Sequence, residues 1–169
     1  MAEKVDRRVR KTKAQLRAGL ARLMQKKSIK EITVKELVEE VDINRSTFYL
    51  HYTDIYQMLE SIEAELMDEV SHLVADYPLD PINNKESSYP FIEQIFTILD
   101  NNKDICIALM GSNGDMGFVS RMEKMIAETV LRQLSGKFAA DNRDVEYVYA
   151  FCLNGCVGMI KAWLSSEHR

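Results

Sequence analysis

The residues best suited to do chemistry lie in one short stretch, Asn44-Arg-Ser-Thr-Phe-Tyr-Leu-His-Tyr52. Read as a helix, Phe48 and Tyr52 are four apart and pack inward together with Ile43, which leaves Arg45, Ser46, Thr47 and Tyr49 facing outward. An arginine can hold a guanine edge in a bidentate fork, and Thr and Tyr can meet a thymine methyl or a phosphate oxygen. The chemistry on offer is recognition of a base-pair edge and its backbone.

Bond-making chemistry has little to draw on elsewhere. Cys152 and Cys156 stand at i, i+4, a spacing open to a metal or redox pair, but no His is near and the surroundings are apolar, which suits buried structural cysteines. His72 and His168 have no partner at ligand spacing. No nucleophile motif, glycine-rich phosphate loop or carboxylate pair stands out. The sequence therefore leads us to expect no catalytic residue, no metal, no cofactor and no enzyme.

Three helices must position the outward-facing stretch. Leu16, Leu20, Leu23 and Met24 recur at i, i+4, i+7 and i+8, which predicts a helix from about Arg7 to Lys26 with one apolar stripe. Its other faces carry Arg10, Lys11, Lys13, Arg17 and Arg22. Thr33-Val-Lys-Glu36 is a capping box that opens a second helix, with Val34, Leu37, Val38 and Val41 as its apolar face. Asp42 and Ile43 break it. Asn44 then caps a third, very short helix over about 45–52, and Ile43 with Phe48 has the spacing of a hydrophobic staple. Two helices joined by a tight turn, the second too short to stand alone, predict a helix-turn-helix whose second helix enters a major groove. A plain three-helix bundle with a polar surface is the competing reading.

Charge separates the two. Residues 1–52 hold 13 Lys/Arg against 7 Asp/Glu, and residues 53–169 hold 9 against 19, which sum to the net −4 of the whole. Within residues 1–30 there are 11 basic and 2 acidic side chains. A basic head on an acidic body fits a polyanion-binding module better than a solvated tail, given the folded elements inside it. Seven Gly and three Pro in 169 residues are too few for the turns of an all-β chain, so the fold class expected is all-α. Three cysteines without a framework argue against a secreted disulfide scaffold. The N-terminus has no signal-like apolar core and no long apolar run occurs, so the expected location is cytoplasmic, away from any membrane.

The stretch from Ile32 to Asp54 resembles the DNA-binding domain of the tetracycline-repressor (TetR) family of bacterial regulators. The match runs from about Thr12 to Leu59, and Thr47-Phe-Tyr-Leu-His-Tyr52 is its most specific part. The resemblance implies that Thr33 meets a phosphate, that Arg45 and Thr47 read bases with Ser46 between them, and that Tyr49 and His51 contact the backbone. His51 has the competing role of tying the third helix to the fourth. Where the family often carries a lysine, this chain has Thr53-Asp54-Ile55, so a contact there falls to Thr53 or to helix N-terminal amides. Lys13 joins this set from the first helix. The implied partner is double-stranded DNA with a pseudo-palindromic operator, bound by a homodimer, more readily as repressor than as activator.

The domains expected are 1–53, the helix-turn-helix head, and 54–169, a larger helical body for dimerisation and effector binding. A long fourth helix opens at Asp54 and keeps its apolar period through Leu73, to about Asp76; Tyr77 to Ser88 reads as a loop. Further helices are expected at 89–101, 103–110, 117–135 and 144–165, with a break at Gly111-Ser-Asn-Gly114. The last is apolar around nearly its whole circumference, which asks for a core on one side and a second subunit on the other; the central helix of a monomer is the alternative. Gly155 and Gly158 would admit a close helix, with Met159 and Trp163 beside them. The family's further C-terminal helix would fall beyond Arg169, which fits either a short member or a truncated chain. Phe96, Met110, Phe118, Met122, Met125 and Phe151 would line an adaptable pocket for a small apolar effector, or else are plain core. The spacing of Phe151, Gly155, Gly158 and Trp163 also resembles a TetR subgroup near the dihydroxyacetone-kinase regulators, whose body answers to a partner protein instead.

Overall fold

The computed structural model describes residues 2–76, 88–134 and 142–166. They form eight α-helices and no strand, as an all-α chain requires. In order these are α1 (Ala2–Met24), α2 (Val34–Glu40), α3 (Arg45–Tyr49), α4 (Ile55–Asp76), α5 (Ser88–Asn101), α6 (Lys103–Met110), α7 (Met116–Leu134) and α8 (Asn142–Ser165). The expected loop from Tyr77, His168 and the side chains of Phe91 and Cys152 lie outside the described residues. The chain divides into two compact units, residues 1–64 with 104–116, and 65–103 with 117–169; the division falls inside α4.

In the first unit the predicted stripe of α1 is buried: Leu16, Leu20 and Met24 are at most 1% exposed. With Leu37, Phe48, Met58, Ile62 and Leu109 they are the most deeply buried large side chains among the described residues. Burying each such side chain is worth about 1.5–3 kcal/mol, which is what holds helices as short as α2 and α3 in place. α1 begins at Ala2 rather than near Arg7, because nothing between them breaks a helix. α3 ends at Tyr49, but the amides of His51 and Tyr52 both donate to the Phe48 carbonyl, so one more turn of chain follows in a tighter form.

Two features close the packing of α1 on α2. A Cβ at Gly19 would lie 2.3 Å from Val41 Cγ1 and 3.1 Å from Leu37 Cδ1, so the glycine lets the helices approach. Arg22 Nε donates to Glu40 Oε1 at 2.6 Å, and Lys27 Nζ donates to Glu36 Oε1, on the exposed side of the same pair. Between α1 and α2 a short 3-10 turn, Ile29–Glu31, is held by Glu31, whose carboxylate accepts from the Ser28 amide at 3.1 Å. That turn was not expected, although Ser28-x-x-Glu31 has the spacing of a capping box.

In the second unit Leu66, Leu73, Val74, Phe118, Val119 and Leu164 are buried. Asn102 Nδ2 donates to Glu69 Oε2 at 3.1 Å, and the rings of Phe96 and Trp163 meet edge to face at 5.0 Å between centroids. One side of α8 is left open: Tyr147, Phe151 and Met159 are 73%, 82% and 52% exposed in the single chain.

Candidate nucleic-acid interface

The turn between α2 and α3 sets the geometry. Thr33 caps α2, its hydroxyl accepting from the Glu36 amide at 3.2 Å while the Glu36 carboxylate accepts from the Thr33 amide at 3.2 Å. At the other end the amides of Asp42 and Ile43 reach back to the carbonyls of Glu39 and Val38, the two bonds of a Schellman motif. Asp42 takes the left-handed position that this motif demands, with φ 53°. Asn44 Oδ1 then accepts from the Ser46 amide at 2.9 Å and starts α3. The chain thus reverses within a few residues, and α3 is delivered at a fixed angle.

Phe48 is wholly buried and Tyr52 nearly so, their rings 5.8 Å apart. With those two turned inward, Arg45, Ser46 and Tyr49 are exposed, as the sequence pattern led us to expect, whereas Thr47, expected to face outward with them, is half-buried. Arg45 is held over its neighbour one turn on: its Nη2 donates to Tyr49 Oη at 3.1 Å and the guanidinium lies 5.6 Å from the ring centroid. His51 is half-buried, its ring 6.4 Å from that of Tyr52. Lys13 Nζ sits 5.8 Å over the other ring of this group, Tyr52, which brings α1 to the edge of the same surface.

At the start of α4 the Thr53 amide donates to Gln57 Oε1 at 3.3 Å, and the Gln57 amide to Asp54 Oδ1 at 2.8 Å. Both amides are occupied by this reciprocal cap, so what Thr53 itself offers is an exposed side chain.

Two acids of α2, Glu36 and Glu40, are covered by cations. Glu36, beside the Thr33 cap, has its pKa lowered chiefly by the Lys27 hydrogen bond and then by the Thr33 amide. Glu40 is lowered by its hydrogen bond from Arg22. Neither carboxylate then opposes a phosphate with a bare charge.

The remaining expected site residues fall elsewhere. Met110 belongs to the first unit and is half-buried; Phe96, Phe118, Met122, Met125 and Phe151 belong to the second. Phe118 is buried with Arg121 6.0 Å from its ring centroid, Phe96 packs on Trp163, and Phe151 is open to solvent. Gly155, Gly158 and Met159 lie exposed on α8, whereas Trp163 is half-buried against Phe96. Cys106 is buried, whereas Cys156, expected from its apolar surroundings in sequence to be buried, is exposed; neither forms a disulfide. Among the described residues no group of three His, Cys, Asp or Glu could hold a metal, and no helix is long and apolar enough to cross a membrane.

Sequence reasoning passed over Gly19 and the Arg45–Tyr49 coupling. A lone glycine inside an otherwise strong helix was the available signal for the first, and Arg and Tyr at i, i+4 for the second.

Such an all-helical chain, with a capped helix-turn-helix presenting Arg, Ser, Thr and Tyr from its second helix, defines a helix-turn-helix protein. Residues 86–169 match the family model of a TetR "Transcriptional regulator C-terminal region". The chain belongs to the TetR family of transcriptional regulators. A crystal structure of a TetR transcriptional regulator from Streptococcus agalactiae 2603V shares its fold, with a TM-score of 0.57, 22% identity, and coverage of 100% of this chain and 91% of that one. A putative TetR family regulator from Vibrio parahaemolyticus is similar at a TM-score of 0.54 and 15% identity, over 93% and 88% of the two chains. No curated protein matches the chain.

Proposed function

We propose that the chain is a homodimeric repressor that binds a pseudo-palindromic DNA operator through α3 and is released by a small apolar effector. In this reading residues 1–53 are the DNA-binding head and 54–169 the dimerisation and effector body. Arg45 and Thr47 read base edges with Ser46 beside them; Thr33, Tyr49, His51, Thr53 and Lys13 hold phosphates on either side. The observation that carries the reading is the exposed face of α3, anchored from behind by fully buried Phe48 and opened by the Asn44 cap. A helix of five residues has no stability of its own, so its presentation on a buried ring supports a role for the outward residues.

Two-fold DNA half-sites lie about 34 Å apart, which calls for two heads in one assembly. The open side of α8, with Tyr147, Phe151, Gly155, Gly158 and Met159, supports that pairing. An effector held among Phe118, Met122 and Met125 would act through α4, whose residues belong to both units. A changed head separation would stop both heads engaging at once, and the avidity would be lost. Docking of a partner protein on the open side of α8, with DNA binding promoted instead of released, is the alternative that the same exposed rings allow.

Selection from a random duplex library at two salt concentrations tests the reading. An enriched inverted repeat with a steep salt slope is expected. Salt-sensitive binding without any enriched sequence would overturn base reading by α3.

A further inference from the structure

Neither the backbone nor the core of the first unit accounts for the side chain of Leu50. The residue closes α3 in ordinary right-handed backbone, φ −71° and ψ −19°, which any residue adopts. Its side chain is 79% exposed, more than any other large apolar side chain described in that unit.

Its place on the helix is specific. Leu50 follows the wholly buried Phe48 by two residues, and helical residues advance by about 100° each, so it projects nearly opposite that ring. It stands with exposed Ser46, one turn earlier, at the middle of the outward face. Arg45 and Tyr49 form one flank of that face and half-buried Thr47 the other. The exposed side chains around it in sequence, Arg45, Ser46, Tyr49 and Thr53, all carry polar groups. A single isobutyl group among them is far smaller than the apolar patch that docks another protein. It matches a partner surface that is polar except for one small apolar group. The major-groove edges of duplex DNA are such a surface, because the C5 methyl of thymine is their apolar group. One helical turn is about 5.4 Å and one duplex step about 3.4 Å, so Leu50 falls within two base pairs of whatever Ser46 faces.

We propose that Leu50 reads sequence by covering a thymine C5 methyl, which selects T·A over C·G at one position in each half-site. The inference rests on the DNA reading above and adds to it a residue that hydrogen-bonds to nothing on a base. Cytosine at that position has no methyl, and its amino group would lose water against an isobutyl side chain without gaining a partner.

The test uses the full chain and its Leu50→Ala variant. Each binds a library-selected duplex, and copies of it in which deoxyuridine replaces thymidine at one position of each half-site at a time. The replacement removes the C5 methyl and leaves the hydrogen-bonding edges in place. At one such position the wild type is expected to lose about fourfold per half-site, as for one small apolar group returned to water. Leu50→Ala is expected to bind the thymidine duplex more weakly and to be indifferent to deoxyuridine at that same position. Wild type and variant responding alike at every position would overturn the proposal, by placing Leu50 against sugar or phosphate. A variant that binds the thymidine duplex as tightly as wild type would overturn it too. Failure of the wild type to enrich any sequence is a different result, which sinks the DNA reading and this inference with it. Leu50 is exposed and alanine is the better helix former, so the variant keeps the fold, and an unchanged melting temperature checks it.

Discussion

Arg45 and Tyr49 form a coupled pair on the open face of α3, with the guanidinium donating to the phenol oxygen at 3.1 Å and resting 5.6 Å from the ring centroid. An arginine free to rotate would have to give up side-chain freedom on meeting a base. One already leaning on a ring one turn away has lost part of that freedom in the unbound protein, so less is lost on binding. The pair also links the two duties assigned to this face, base reading by Arg45 and backbone contact by Tyr49.

Arg45→Ala should weaken binding to the selected duplex by about 1–3 kcal/mol and relax the preference at one base position per half-site. Tyr49→Phe, which keeps the ring under the guanidinium and removes the hydroxyl, should cost less and leave the base preference in place. Binding of each variant to the selected duplex and its single-base changes separates these effects. A loss from Arg45→Ala that is equal on every sequence would mean that Arg45 holds a phosphate.

Gly19 offers a test of the α1–α2 packing. In an exposed helix Gly→Ala stabilises by up to about 1 kcal/mol. Here the new methyl would fall 2.3 Å from Val41 Cγ1, a stiff β-branched group that cannot swing aside. Gly19→Ala should therefore destabilise by about 1–3 kcal/mol, and Val41→Ala added to it should recover part of the loss. Thermal or urea unfolding reads both; a stabilised single variant would contradict the close approach.

The turn carries a correctable strain. Asp42 occupies the left-handed region at φ 53°, where a side chain costs about 1–2 kcal/mol and glycine costs nothing. Asp42→Gly should raise the stability of the head by up to about 1 kcal/mol, less than the full strain because glycine also loosens the unfolded chain. DNA affinity should be unchanged, since Asp42 lies in the turn and not on the α3 face. A lowered unfolding midpoint would show that the Asp42 carboxylate does more than tolerate the turn.

Acid should weaken the junction between α1 and α2. The Glu36 and Glu40 carboxylates are held below their ordinary range, mainly by hydrogen bonds from Lys27 and Arg22. A group whose pKa is lower folded than unfolded binds fewer protons when folded, so its stabilisation is complete above the unfolded glutamate value of about 4.3 and drains away as pH falls through the folded value. Melting temperature should fall on that acid side, and more steeply in the wild type than in Glu36→Gln. Glutamine keeps the reach to the Thr33 amide but has no charge to lose, so matching pH profiles would remove the ion pair from the account.

What was legible in the sequence was local. The Thr33 and Asn44 caps, the Leu16–Met24 stripe and the inward Phe48 follow from spacing within one or two turns, and the structure has each of them. What was missed depends on contacts between elements distant in sequence. Gly19 against Val41, Lys13 over Tyr52 and Arg22 with Glu40 require knowing how α1 lies on α2 and α3, which periodicity does not specify. The left-handed Asp42 lay in a recognised break, but only the two bonds back to Val38 and Glu39 reveal why the backbone must turn that way. For α8 the apolar circumference predicted two buried sides, and it took the structure to show that Trp163 and Leu164 face inward while Tyr147, Phe151 and Met159 remain open.

That open side makes the test of dimerisation unusually clean. A Cβ at Gly155 or Gly158 would have nothing within 4 Å among the described residues of the single chain, so a side chain can begin at either position without a clash. Large rings and a methionine left in water on the same helix favour association, because burying them recovers about 25 cal/mol per Å² of apolar surface. If the glycines are where two α8 helices come close, Gly158→Leu should convert a dimer to a monomer in sedimentation while the helical content and melting of the isolated chain hold. DNA binding should then fall by the avidity that two linked heads provide, leaving the weaker affinity of one head. A variant that still sediments as a dimer would move the interface off these glycines. One that is monomeric and still binds the inverted repeat as tightly as wild type would separate operator recognition from pairing through α8.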